Sequence, residues 1–85
     1  MTPVTHEQRI LRALAHNGGE MYGLDLVAAK AAKQGWMYVV LARLEDKGWI
    51  ESRFEEGAWP RRRLYRITDA GRAALVPELP VAKVR

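Results

Sequence analysis

The sequence predicts an α+β fold: three helices, a two-stranded hairpin and a short closing helix. Three observations predict it. Apolar residues recur at helical spacing in three successive segments, separated by glycine-bearing breaks. Between residues 50 and 67 the period drops to two, around a Gly/Pro turn. The chain has 85 residues and no cysteine, enough for one modest core without a disulfide staple. That length excludes a large catalytic barrel. The missing thiols exclude a thiolate zinc site and a cysteine nucleophile.

The first helix is expected over residues 5–17. Ile10, Leu11 and Leu14 share its inner face, with Ala13 nearby. Glu7 in the first turn and His16 in the last suit the helix dipole. Asn17-Gly18-Gly19 is a stop signal, because glycine tolerates left-handed backbone. A second helix is expected over about 22–32, with Leu24, Val27, Ala28 and Ala31 on one stripe. Its alanines would let a neighbouring helix approach closely, and Gly35 interrupts the pattern. The third helix, about 35–48, carries Met37, Val40, Leu41 and Leu44 inward. Tyr38, Ala42, Arg43, Glu45 and Asp46 lie opposite, and Gly48 fits the C-terminal cap.

In the hairpin, Ile50, Ser52 and Phe54 alternate with Glu51, Arg53 and Glu55. Gly57 and Pro60 make the turn, and Leu64 to Ile67 resume a strand. Ile50, Phe54, Tyr65 and Ile67 are expected to face the core together. Thr68 is the expected N-cap of the closing helix. Pro77 and Pro80 then break the chain. Residues 1–76 read as one domain and 77–85 as a proline-containing tail, with no internal repeat.

Charge narrows the function classes. Lys and Arg number 14 against 10 Asp and Glu, for a sequence pI of about 9.9. Residues 1–42 hold four basic and three acidic side chains, and residues 43–85 hold ten and seven. Arg61, Arg62, Arg63 and Arg66 fall within six positions. A focused basic excess points to a polyanionic partner, although composition does not separate DNA from RNA, an acidic protein or a membrane surface. His6 and His16 share a helix face but stand about 15 Å apart, too far to clamp one metal ion. No stretch is apolar enough to span a bilayer, and the first residues lack the apolar region of a signal peptide. A cytoplasmic protein is expected.

Catalysis finds little support. Glu45 and Asp46 are neighbours on a helix and do not face each other. Gly18-Gly19 is followed by Glu20 and lacks the lysine of a phosphate-cradling loop. Ser52, the only serine, has no base positioned for it. Neither an enzyme nor a cofactor is expected.

Three helices followed by a hairpin make a winged helix-turn-helix. The first two helices brace the third, whose outer face is free to enter a major groove, while the wing follows the phosphates beside it. Within that arrangement MYGLDLVAA, GWMYVVLARLEDKGWIES and GAWPRRRLYRITDAGRAAL resemble the PadR family of bacterial transcription regulators. The quoted features are Tyr22-Gly23 opening the second helix, then Gly35, Tyr38, Leu41, Leu44, Glu45 and Gly48. The basic run Arg61 to Arg63, Tyr65-Arg66-Ile67-Thr68 and Ala70-Gly71-Arg72 complete the set. The resemblance covers roughly residues 8–76. Two departures stand out: Trp36 occupies a position usually held by small or polar residues such as Ser or Thr, and the family's C-terminal dimerisation helix is expected to be missing or reduced.

The resemblance and the charge pattern imply a transcriptional repressor that binds double-stranded DNA, as a homodimer and without a cofactor. No small-molecule effector is implied. Expected phosphate contacts are Arg61, Arg62 and Arg63 on the wing. Lys33, Gln34, Trp36, Tyr38 and Arg43 on the third helix are the expected groove contacts, with Trp36 equally suited to packing. Trp49 is expected in the core, and Trp59 is expected exposed at the wing tip. The alternative is a winged helix used for protein–protein contact, anchored by Trp36 and Trp59.

Overall fold

The computed structural model describes residues 5–57, 59 and 62–76. Its elements run α1 (His6–Asn17), β1 (Met21–Tyr22), α2 (Gly23–Ala28), α3 (Gln34–Asp46), β2 (Ile50–Phe54), β3 (Arg63–Ile67) and α4 (Asp69–Ala73). The strands form one antiparallel sheet in the order β1-β3-β2. The fold is therefore the winged helix expected, with one addition. Met21 and Tyr22 pair with Tyr65 and Leu64, so the hairpin gains a third, two-residue strand.

Helix α1 starts where its cap dictates. The Thr5 hydroxyl accepts the Gln8 N–H at 3.1 Å, and Gly18, at φ 75°, closes the other end. Ile10, Leu11 and Leu14 are fully buried. Helix α3 buries Met37, Val40, Leu41 and Leu44 against them, as the periodicity requires. It ends in a Schellman turn, with Gly48 N–H donating to Glu45 C=O at 2.9 Å and Trp49 N–H to Leu44 C=O at 3.0 Å.

Helix α2 departs from expectation. It ends at Ala28, not near residue 32, because Lys30 adopts φ 61°. Lys30 N–H donates to Val27 C=O and Ala31 N–H to Leu26 C=O, both at 2.9 Å, which is a Schellman end built without glycine. The apolar stripe shifts accordingly. Leu26 is fully buried, whereas Leu24 is 61% exposed.

The hairpin also differs in one residue. Ile50 and Tyr65 are buried and Ile67 is partly so, but Phe54 is half-exposed. Phe54 sits at the outer end of β2, opposite Arg63, whose guanidinium lies 4.6 Å from the ring centroid. The strands outrun the helices that could cover them, so the inward alternation finds no core at that end.

Thr68 joins wing to bundle. Its N–H donates to Trp49 C=O at 3.0 Å and its hydroxyl donates to Gly48 C=O at 2.6 Å. The same hydroxyl accepts Gly71 N–H at 3.1 Å, capping α4. Residues 74–76 then run back along α1. The Gln8 side chain donates to Ala74 C=O and accepts Val76 N–H, and Arg12 donates to Val76 C=O. The expected tail at 77–85, with Pro77, Leu79, Pro80 and Val81, lies outside the described residues, as do Pro60 and Arg61.

Candidate nucleic-acid interface

Burying Met37, Val40, Leu41 and Leu44 leaves the other side of α3 in solvent. Gln34, Gly35, Tyr38, Val39, Ala42 and Arg43 form that outer face. Lys33 is the N-cap but supplies no side-chain cap, and the Trp36 and Met37 N–H groups both donate to its carbonyl. The Gln34 and Gly35 N–H groups therefore open the helix without an intrahelical partner, at the positive end of its dipole. Lys33 and Gln34 flank this end and are exposed.

Gly35 has open space around it: a Cβ there would meet nothing within 4 Å. Gly23 is the opposite case. A Cβ on it would lie 3.1 Å from Met37 Cε and 3.3 Å from the Tyr38 hydroxyl. The Tyr22-Gly23 pair thus lets α2 begin close against α3, and it backs one side of Tyr38. Tyr38 remains half-exposed on the outer face.

Trp36 resolves differently. Its ring stacks on His6 of α1, with centroids 3.8 Å apart and planes at 24°, and it packs partly buried against the core. Part of the ring is thus covered by its own chain, and the rest is open to solvent. Trp49 also packs partly buried against the core, with Lys47 Nζ 4.5 Å from its ring centroid.

The wing stands beside α3. Ser52 donates to Glu45 Oε2 at 2.8 Å, and Arg63 reaches Glu45 at 4.0 Å, so β2 and β3 are both tied to the last turn of the helix. Arg63 is thus shared between Glu45 and the Phe54 ring. Arg62 is held only loosely, its guanidinium 5.3 Å from the Tyr22 ring centroid. The Tyr22 hydroxyl donates to Glu55, and that hydrogen bond holds the phenol above its ordinary pKa, with burial adding to the shift. Trp59 is 88% exposed.

Three other cations, Arg53, Arg66 and Lys47, are paired. Arg53 makes a two-pronged contact with Glu20 at 2.6 and 2.7 Å, which holds that carboxyl below its usual range. Arg66 meets Glu51 across the strands at 3.1 Å, and Lys47 meets Glu7 at 2.9 Å. Among the described residues Lys33, Arg43 and Arg62 form no salt bridge and remain exposed. They bracket the outer face of α3 along the helix and across the wing. Sequence reasoning missed Val39, an exposed apolar side chain in the middle of that face. Its adjacency to Val40 in a continuous apolar run hid it.

Comparison with known proteins places this geometry. Residues 10–76 match the Transcriptional regulator PadR-like family. No curated protein matches the chain. Among solved structures it resembles Bacillus subtilis PadR in complex with operator DNA, with a TM-score of 0.73 and 25% identity, over 93% of this chain and 51% of that one. A transcriptional regulator from Clostridium thermocellum matches at TM-score 0.64 and 31% identity, over 79% of this chain and 71% of that one. A PadR family regulator from Clostridium difficile matches at TM-score 0.68 and 27% identity, over 80% and 76%. With the family match spanning most of the chain and the winged helix intact beneath it, the protein belongs to the PadR-like family of transcriptional regulators.

Proposed function

We propose that the chain is a sequence-specific DNA-binding repressor. Helix α3 enters the major groove and the wing arginines lie on the phosphates. The observation that carries this is the solvent-exposed outer face of α3, with Lys33 and Arg43 on that helix and Arg62 on the wing exposed and, among the described residues, in no salt bridge. Exposed cations without a carboxylate partner can exchange counterions for phosphates at little cost.

Within this reading Gln34 and Tyr38 contact base edges, and Lys33 supports a phosphate at the helix N-terminus. Arg43 reaches the backbone on the far side of the groove. Arg61 and Arg62 take phosphates beside the wing, with Arg63 held partly by Glu45. Repression follows from occupying promoter DNA. The alternative is a winged helix used for protein–protein contact; the stacking of Trp36 on His6 covers part of a side chain that either reading would use, so it does not choose between them.

Selection of bound duplexes from a random pool tests the proposal. The expected result is an enriched motif, palindromic if the protein binds as a homodimer. Replacing Arg61, Arg62 and Arg63 by Ala should weaken specific and random duplexes alike, since phosphate contacts position without reading sequence. Gln34→Ala or Tyr38→Ala should instead cost about 1–3 kcal/mol on the selected motif and little on random DNA. An unenriched pool, or no binding to any duplex, overturns the proposal.

A further inference from the structure

Glu55 and Arg62 face each other at the neck of the wing, where the Glu55 N–H donates to the Arg62 carbonyl at 2.7 Å. Opposite charges facing across antiparallel strands ordinarily pair with each other. Among the described residues these two form no salt bridge. Both side chains turn to Tyr22 instead. Its hydroxyl donates to Glu55 Oε2, and its ring lies 5.3 Å from the Arg62 guanidinium. Tyr22 is itself fixed from two directions. It pairs with Leu64 in the sheet, and its N–H donates to Asp25 Oδ2 at 2.9 Å.

We infer, on the reading that this protein binds DNA, that Tyr22 is a positioning residue that keeps Arg62 available to a phosphate by withholding Glu55 from it. The chemistry is a matter of competing acceptors. A guanidinium bound to a carboxylate must give up that partner before a phosphate can take its N–H donors. A ring face attracts the cation but occupies none of its five N–H groups. The hydroxyl is what makes this arrangement hold. It satisfies Glu55 with a neutral donor, so the carboxylate stays bonded at the wing neck without neutralising the cation beside it. Tyr22 acts through Arg62 and touches no ligand in this role.

The test uses the full chain and a duplex recovered by the selection, with affinity measured as a function of salt. Tyr22→Phe keeps the ring and removes the donor. Glu55 is then free to pair with Arg62. Binding should weaken by up to about fivefold, the upper end of what a surface ion pair contributes. The salt slope should shrink by up to about 0.9, the share of one phosphate contact. The loss should be equal on selected and random duplexes. Adding Glu55→Gln should restore both affinity and slope. Adding Glu56→Gln, the same charge change one residue away, should not. In an Arg62→Ala background, Tyr22→Phe should have no further effect.

Three results would overturn the inference: parental affinity and slope in Tyr22→Phe, failure of Glu55→Gln to restore binding, or equal restoration by Glu56→Gln. Unmodified protein that binds no duplex is a different failure. It removes the DNA-binding reading itself and is read from the parent alone.

Discussion

Two glycines lie at opposite extremes of constraint. A Cβ on Gly71 would stand 2.0 Å from the Trp49 carbonyl oxygen and 2.7 Å from Ile67 Cγ1. The oxygen already accepts the Thr68 N–H, so it cannot retreat without breaking the joint between wing and bundle. Gly71→Ala should therefore destabilise the protein by about 3 kcal/mol or more, as read by urea unfolding. At Gly35 a Cβ meets nothing, and Ala is the better helix former by up to about 1 kcal/mol. Gly35→Ala should raise the unfolding midpoint. If the first turn of α3 approaches DNA closely, the same change should weaken binding, so stability and affinity would move in opposite directions. Val39 offers a similar separation. It is 58% exposed on the same face, so its methyls carry little of the core. Val39→Ala should leave stability within about 0.5 kcal/mol, the usual range of a surface change. An exposed apolar group in a major groove suits a thymine methyl. Replacing thymine by deoxyuridine along the selected duplex should weaken binding at one position, and Val39→Ala should abolish that difference. A uniform response along the duplex would count against Val39 as a reader.

At the scale of elements, what the sequence made legible was what local chemistry decides. Gly18, Gly48 and Thr68 mark their helix ends because a hydroxyl or a missing Cβ is a direct signal, whereas the Thr5 cap of α1 went unread. The core stripe of α3 was readable because helical period alone assigns it. Three features depend on partners distant in sequence and were not readable. The end of α2 rests on a left-handed Lys30, a residue type that gives no sign of that conformation. β1 is two residues long and exists only because β3 lies beside it. Phe54 alternates inward by pattern, yet the bundle stops short of it. Of the candidate site, the exposed outer face of α3 and the run of wing arginines were legible as features of the surface. The inward stacking of Trp36 on His6 depends on how α1 and α3 cross, and the sequence does not carry that. The Lys30 turn is open to measurement. A lysine held at φ 61° bears a steric penalty that glycine lacks. Lys30→Gly should stabilise the protein by about 0.5–1 kcal/mol in denaturant unfolding, with part of the gain offset by the freer unfolded chain. A loss would mean that the lysine side chain contributes more than the strain costs.

For the whole molecule the open matter is assembly. One winged helix of this size offers one recognition helix, and two copies on a two-fold axis would set a pair of them about 34–36 Å apart, one turn of DNA. Ile10 and Leu14 on α1 are fully buried in the core of their own chain, so neither is free to join such a pairing. What α1 leaves outward is different. Arg9, Arg12, Ala13 and His16 border an open groove that Leu75 and Val76 complete, with Lys30 at its rim. We propose that a second copy covers this groove. The exposed charges of Arg9 and Lys30 at the groove give the pairing a signature. Bringing two basic rims together is opposed by repulsion between exposed charges, which salt screens over about 10 Å at 0.1 M. Self-association should therefore strengthen as salt rises, whereas DNA binding should weaken. Sedimentation at micromolar concentration, at low and high salt, reads the first trend directly. Repeating it without residues 77–85 locates the contact. A monomer in both forms at every salt concentration refutes a dimer free of DNA. An unchanged dimer without the tail moves the interface onto α1 and residues 75–76. A dimer that dissociates with salt would mean that ion pairs, not the apolar floor of this groove, hold the two copies together.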